Sequence, residues 1–293
     1  MPFLGRIIAL ALFLFACGHA LAALPKDETG FTQVLAERFA KALPEAKVTV
    51  AGPLVLKIEL KPGDADDLRL INPWDFCQRD RAHCEQIVAD FVTNMAGSLK
   101  ERSQPIRKAD IRATVRQYAY VEDMQHVAAS KPGAAPVVEK IAGNLWMVCV
   151  IDRPHGVTML NHNHLKELGL SEADAIALAK SNLAAALPPL DKVLKELKPG
   201  EANYLSGNFY DPSRILAHDD WAPLAETLHH HLVVAVPGTS VLVYGDGRNK
   251  QAIADIEAFT QMIASKTPRA VSITLLHWTP TGWREVKGTE PGP

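Results

Sequence analysis

The chain has 293 residues, 47% of them hydrophobic, which is enough apolar side chain for one large or two modest cores and excludes an intrinsically disordered protein. Its 31 Lys and Arg against 33 Asp and Glu give a formal net charge of -2 with no long block of either sign, so nucleic acid binding has no electrostatic basis.

The first segment reads as a secretory signal peptide over residues 1–22. Arg6 supplies a short positive start, Ile7 to Ala16 an apolar run, and Ala20-Leu21-Ala22 a small-x-small site that predicts cleavage between Ala22 and Ala23. A competing reading takes Leu14-Phe15-Ala16-Cys17 as a lipoprotein signal with a lipid anchor at Cys17, although Phe15 is bulky for such a site. The apolar run is shorter than the roughly 20 residues a bilayer span needs, and no later run approaches that length, so no membrane span is expected.

Phe31, Val34, Leu35, Phe39 and Leu43 fall at helical spacing before Pro44, which predicts a helix. Val48 to Val50, the alternating Leu54 to Leu60, and Leu68 to Ile71 predict three strands, the first two joined by the Ala51-Gly52-Pro53 turn. Ile87, Val88, Phe91, Val92, Met95 and Leu99 then predict a helix from Arg81 to about Lys100. Cys77 and Cys84 stand just ahead of it. Seven positions along one unbroken helix would separate them by about 10 Å, so the disulfide expected in an oxidising compartment requires a turn or helix start between them. Cys149, in the apolar run Leu145 to Ile151, is expected as a buried free thiol.

Ile111 to Tyr120 predicts a strand, and Ala128 to Pro136 is small, Pro-containing and aperiodic, a loop or linker. Leu145 to Ile151 and Val157 to Leu160 form an expected hairpin, followed by a turn or two of helix at His164 to Leu168. Ser171 with Asp174 makes a capping pair ahead of a helix over Ala175 to Leu187, stopped by Pro188-Pro189. The last third predicts a strand at Ala202 to Asn208, a largely helical stretch from Pro212 to Thr227, strands at His231 to Val236 and Val241 to Tyr244, a helix from Lys250 to Ser265, and strands at Ser272 to Thr279 and Trp283 to Val286.

No βαβ rhythm repeats, so the expected fold class is α+β: antiparallel or mixed sheets with helices packed on them, in one large or two closely packed domains. The expected division is 23–127, a loop or linker over 128–136, and 137–293.

Ala202-Asn-Tyr-Leu-Ser-Gly-Asn-Phe-Tyr-Asp-Pro-Ser-Arg-Ile-Leu216, Trp221 and Leu232-Val-Val-Ala-Val-Pro-Gly-Thr-Ser-Val-Leu-Val-Tyr-Gly-Asp246 together resemble the YtpQ-like family, a domain of unknown function. Leu165 to Ser171, Ala179 to Leu183 and Ile71-Asn-Pro-Trp-Asp75 resemble it too, so the likeness covers most of the chain after the signal. Many members of that family have Pro-x-Arg-Asp after the strand, where this chain has Pro237-Gly-Thr-Ser240, and are cytoplasmic. The resemblance implies a fold and no activity.

Several constellations invite chemistry. Tyr204, Asn208, Tyr210, Asp211, Arg214 and Trp221 cluster at a strand-to-helix turn and form the candidate ligand-binding group; the same residues serve a purely structural turn in which Asp211 caps a helix begun by Pro212. His229 and His231, on one face of an extended chain, and His155, His162 and His164 around the hairpin are candidate metal ligands, but a metal site needs three or four converging groups, and polar surface positions are the better reading of them. Gly245-Asp-Gly-Arg248 is a tight turn with an anion cradle as its sharper reading. Ser213 and Ser240 lack the Gly-x-Ser-x-Gly context of an activated nucleophile. The sequence therefore points to an exported soluble protein that binds a partner protein or small ligand without turning it over and without a cofactor. A metal-dependent hydrolase using the clustered histidines is the alternative.

Overall fold

Residues 24–267 and 269–286 are described by a computed structural model. The expected signal segment over residues 1–22, Cys17 and the expected Ala22-Ala23 cleavage site lie outside the described residues. The chain divides into two compact units, residues 1–97 and 98–293.

In the first unit, Asp27 caps helix α1 (Glu28–Ala42) by accepting the Gly30 N–H at 2.8 Å, and α1 buries Phe31, Leu35 and Phe39. Strands β1 (Lys47–Gly52), β2 (Val55–Lys61) and β3 (Asp64–Arg69) form an antiparallel meander with β2 in the centre, where Leu56 and Ile58 are buried. Leu54, at the turn, holds φ at 55°, a left-handed value that an L side chain adopts only when held; its N–H donates to Thr32 Oγ1 at 2.8 Å. The chain does not continue as a strand through Ile71, as the apolar run suggested. Helix α2 (Ile71–Arg79) begins there, with Pro73 in its first turn, where the missing N–H has no helical partner to lose. Helix α3 (Cys84–Arg102) follows, and the Cys77–Cys84 disulfide closes the break between the two helices with Cα atoms 4.7 Å apart. The turn that the cysteine spacing required is therefore present.

The second unit starts inside α3, and its first sheet has the order β4-β6-β5, built from β4 (Ile111–Gln117), β5 (Val138–Ala142) and β6 (Leu145–Arg153), with β7 (Gly156–Met159) also on β6. Every pairing is antiparallel. Helix α4 (Tyr118–Ala128) replaces the end of the strand expected to reach Tyr120. Residue 128 ends α4, and 129–136 form a loop inside this unit, since β4 and β6 on either side of it pair from Ile111↔Ile151 to Gln117↔Leu145. The loop is also tied down, since Asn163 donates from its backbone to Gly133 O at 2.9 Å and from Nδ2 to Pro132 O at 3.0 Å. Helix α5 (His162–Leu168) ends at Gly169 with φ 61°, and α6 (Glu172–Ala186) starts on the expected Ser171–Asp174 capping box. Ala175, Ala179 and Leu183 of α6 pack on Ile111, Ala113, Met147 and Cys149, the inward face of the sheet.

The second sheet of this unit has the order β12-β11-β9-β10-β8, from β8 (Ala202–Ser206), β9 (Leu232–Gly238), β10 (Val241–Asp246), β11 (Leu276–Thr279) and β12 (Gly282–Glu285), all antiparallel. All seven β9 residues are buried. Val233, Ala235 and Val243 face helix α8 (Lys250–Lys266), and Val234, Val236, Leu242 and Tyr244 face the core around Trp221. Pro212 to Thr227 is less regular than expected: two tight 3-10 turns, Asp211–Leu216 and His218–Trp221, lead into the single turn and a half of α7 (Ala222–Thr227). The architecture is α+β, with three antiparallel sheets and helices packed on them.

Candidate functional site

The candidate ligand-binding cluster resolves into a knot and two outliers. Asp211 Oδ2 accepts the Asn208 N–H at 3.1 Å and its Oδ1 accepts from Arg214 Nε at 3.0 Å. Arg214 Nη1 donates to Pro188 O at 2.8 Å, and Trp221 Nε1 donates to Arg214 O at 3.0 Å. Four of the six residues thus form one network, with Asp211, Arg214 and Trp221 buried and Asn208 exposed at its edge. Asp211 does not cap the turn; Tyr210 holds that position, and the Asp211 carboxylate is turned to Arg214 instead.

Tyr210 packs edge-on against Phe209, ring centroids 5.0 Å apart, and lies against the α6 core. Its Oη is buried without a well-aligned hydrogen bond, and burial, reinforced by the neighbouring Asp152 carboxylate, pushes the phenol above its ordinary pKa. Tyr204 stands apart from the knot: it is exposed on β8 with Phe259 of α8 6.1 Å away.

Arg214 also lines a cleft of about 250 Å³. One wall is the end of α6, Leu183 and Leu187, continued by Pro188-Pro189 and Leu190; the other is the 3-10 turn, with Ser213 and Leu216. Pro188-Pro189 stops α6 and turns the chain so that the Pro188 carbonyl meets Arg214. At the rim Lys180 is paired with Glu139 at 2.5 Å. Arg214, the buried charge of the cleft, is already bound to a carboxylate and a carbonyl, and the buried Ser213 and the exposed Asp220 also line the space. Sequence reasoning found Arg214 but missed Leu183, Leu187 and Leu216, which it treated as helix and turn packing; the apolar residues running up to the Pro pair were the available signal.

The candidate metal ligands are held apart. His155 Nδ1 lies 2.8 Å from Glu101 Oε1, and His162 Nε2 lies 3.7 Å from Glu172. His164 closes the α5 capping box, its Nδ1 accepting the Asn161 N–H at 3.3 Å. Burial pushes the His164 pKa down, as suits a neutral ring with Nδ1 as acceptor. His229 and His231 are not alternate positions of a strand: residues 229–231 form the exit from α7, and β9 begins at Leu232. Among the described residues, no three His, Cys, Asp or Glu side chains are grouped to hold a metal. The Gly245 to Arg248 turn is closed on itself, with Asp246 N donating to Glu201 O, Gly247 N to His231 O and Arg248 paired to the buried Asp246.

No family model, curated protein or solved structure matches this chain. No described helix is long and apolar enough to cross a membrane.

Proposed function

We propose that this is an exported binding protein of the cell envelope, YtpQ-like in fold, which holds a small apolar molecule in the cleft beside Arg214 without transforming it. One observation carries the reading: the cleft is walled by Leu183, Leu187, Leu190 and Leu216, and its one buried charge, Arg214, is neutralised by Asp211 and Pro188 O. Such a site gains affinity by removing apolar surface from water, at about 25 cal/mol per Å², and its buried guanidinium is already engaged. The Cys77–Cys84 disulfide suits an oxidising compartment and supports export.

Two measurements test this. Titrating the mature protein with indole, followed by amide shifts, is expected to give saturable changes confined to Leu183–Leu190 and Ser213–Ala217, and Leu216→Trp, which fills the cleft, is expected to remove them. Shifts that are absent, or unaltered by the substitution, refute the site. Mass spectrometry of the exported chain is expected to find Ala23 at the N-terminus; a lipid on Cys17 would make the protein a membrane-anchored one, and an uncut chain would overturn export.

A further inference from the structure

A second pocket lies on the outer face of the first sheet of this unit. Along β4 the side chains alternate, so Ile111, Ala113 and Val115 enter the core while Arg112, Thr114 and Arg116 face outward. Arg116 stands beside Val148 and Val150, which are almost fully buried, at the floor of a pocket of about 290 Å³. Arg269, from the segment after α8, is on the same pocket, and Tyr120 of α4 and Phe209 of the loop after β8 complete its walls.

The charges in this pocket are unbalanced. No Asp or Glu is among the residues that line it, and among the described residues neither Arg116 nor Arg269 is in an ion pair. Arg116 is held by its own fold: Nη1 donates to Val115 O at 2.8 Å, and the guanidinium stands 5.7 Å from the Tyr120 ring centroid. A guanidinium carries five donors, so beyond Val115 O and the neighbouring Tyr120 the Arg116 fork keeps donors for another partner. Burial lowers the Arg116 pKa, Tyr120 beside it works in the opposite direction, and the like charge of Arg269 adds a smaller push against the cation. Two cations facing one half-enclosed space without a carboxylate repel each other, and an oxyanion between them removes that cost while matching the planar fork. The remaining walls are apolar and open to solvent: Phe209 is 40% exposed, Tyr120 38% and Val157 41%, an uncommon grouping of large apolar side chains around two cations.

We infer that Arg116 and Arg269 form a binding site for a small organic anion, an oxyanion headgroup carried on a flat apolar body that stacks between Tyr120 and Phe209. The site is separate from the cleft at Arg214 and stands whether or not that cleft binds anything. Carboxylate and phosphate share the required chemistry, and the probes separate them.

Calorimetric titration of the full exported chain at low ionic strength with phenyl phosphate, benzoate and inorganic phosphate tests the assignment. One or both aromatic anions are expected to bind one per chain and more tightly than inorganic phosphate; the tighter of the two identifies the headgroup. Arg269→Ala, at an exposed position whose loss the fold tolerates, is expected to weaken binding roughly tenfold or more, the scale of one charged hydrogen bond, and Arg116→Gln to abolish it. Arg79→Ala, in the other unit, removes the same charge and is expected to leave binding unchanged. Absence of binding by all three anions, equal affinity for inorganic and phenyl phosphate, or an equal effect of Arg79→Ala and Arg269→Ala overturns the inference.

Discussion

Arg214 donates to Asp211 at 3.0 Å with the two side chains only 6% and 9% exposed, so the residues that shape the cleft are joined by a buried ion pair. Removing one partner leaves the other charged and desolvated, which typically costs about 3–5 kcal/mol. Asp211→Ala is therefore expected to lower the unfolding free energy by about that amount, and the Asn208 N–H loses its acceptor as well. Asp211→Asn, which keeps one oxygen for Arg214, is expected to lose less. Urea unfolding followed by tryptophan fluorescence measures both; an alanine variant within about 1 kcal/mol of the parent would show that water replaces the carboxylate.

Much of this knot was legible because Asn208, Asp211 and Arg214 are three residues apart and so meet on one tight turn. Tyr204 was grouped with them by proximity in sequence, yet β8 carries it to the α8 side, a separation only the sheet pairing decides. The opposite wall of the cleft comes from α6, and nothing local in either segment announces that they meet. The regular elements followed the same logic. α1, α3 and α8 and the β9–β10 hairpin have strong apolar periods and were read correctly, whereas α4 starts directly from β4 without a side-chain cap and β5 is only five residues long with one buried position. The division of the chain is hidden for a physical reason as well: it falls inside the continuous helix α3, while the Pro-containing stretch 128–136, which reads as a loop or linker, is held by Asn163.

The exit of α7 makes a sharper prediction. His229 N donates to Glu226 O at 3.0 Å and His230 N to Ala225 O at 2.7 Å, the two bonds of a Schellman ending, which places His229 at the left-handed position that Gly169 occupies after α5. His229 and His230 have φ of 52° and 63°, which costs an L side chain about 1–2 kcal/mol each. His229→Gly is expected to stabilise the protein by about 0.5–1 kcal/mol after the extra chain entropy of glycine is counted. His230→Gly is expected to gain less or nothing, because the His230 ring stacks on Trp278 with centroids 5.8 Å apart. Thermal unfolding of the two variants side by side tests the contrast, and equal shifts would mean that the stack contributes nothing.

In the first unit the disulfide closes a short loop, its cysteines separated by 7 positions. Chain-entropy arguments give a cross-link of that span about 2.5 kcal/mol through the unfolded state. The Cys77→Ser, Cys84→Ser double variant is expected to unfold at lower urea by that amount, with loosening first around Trp74, whose ring meets Phe31 of α1 with centroids 5.2 Å apart. Hydrogen exchange on α1 and α2 measures it, and unchanged protection there would show that packing alone fixes the junction.

Cys149 behaves in the opposite way to a reactive thiol. It is fully buried on β6, and burial, with the Glu139 charge adding to it, pushes its pKa up to about 12. In the unfolded chain the same thiol ionises near 8.5. The sign follows directly: above that pH the unfolded state sheds a proton that the folded state keeps, so stability is intact below about pH 8.5 and falls as pH rises, by about 1.4 kcal/mol per unit while the folded thiol stays protonated. Between pH 8.5 and 10, Cys149→Ala is expected to flatten this decline while lowering stability at neutral pH through the cavity it leaves. In protein beginning at Ala23, a thiol reagent is expected to find no fast-reacting group in the native state and one after unfolding. Rapid native labelling of Cys149 would mean that the sheet face opens far more readily than its packing against Ala175 and Ala179 allows.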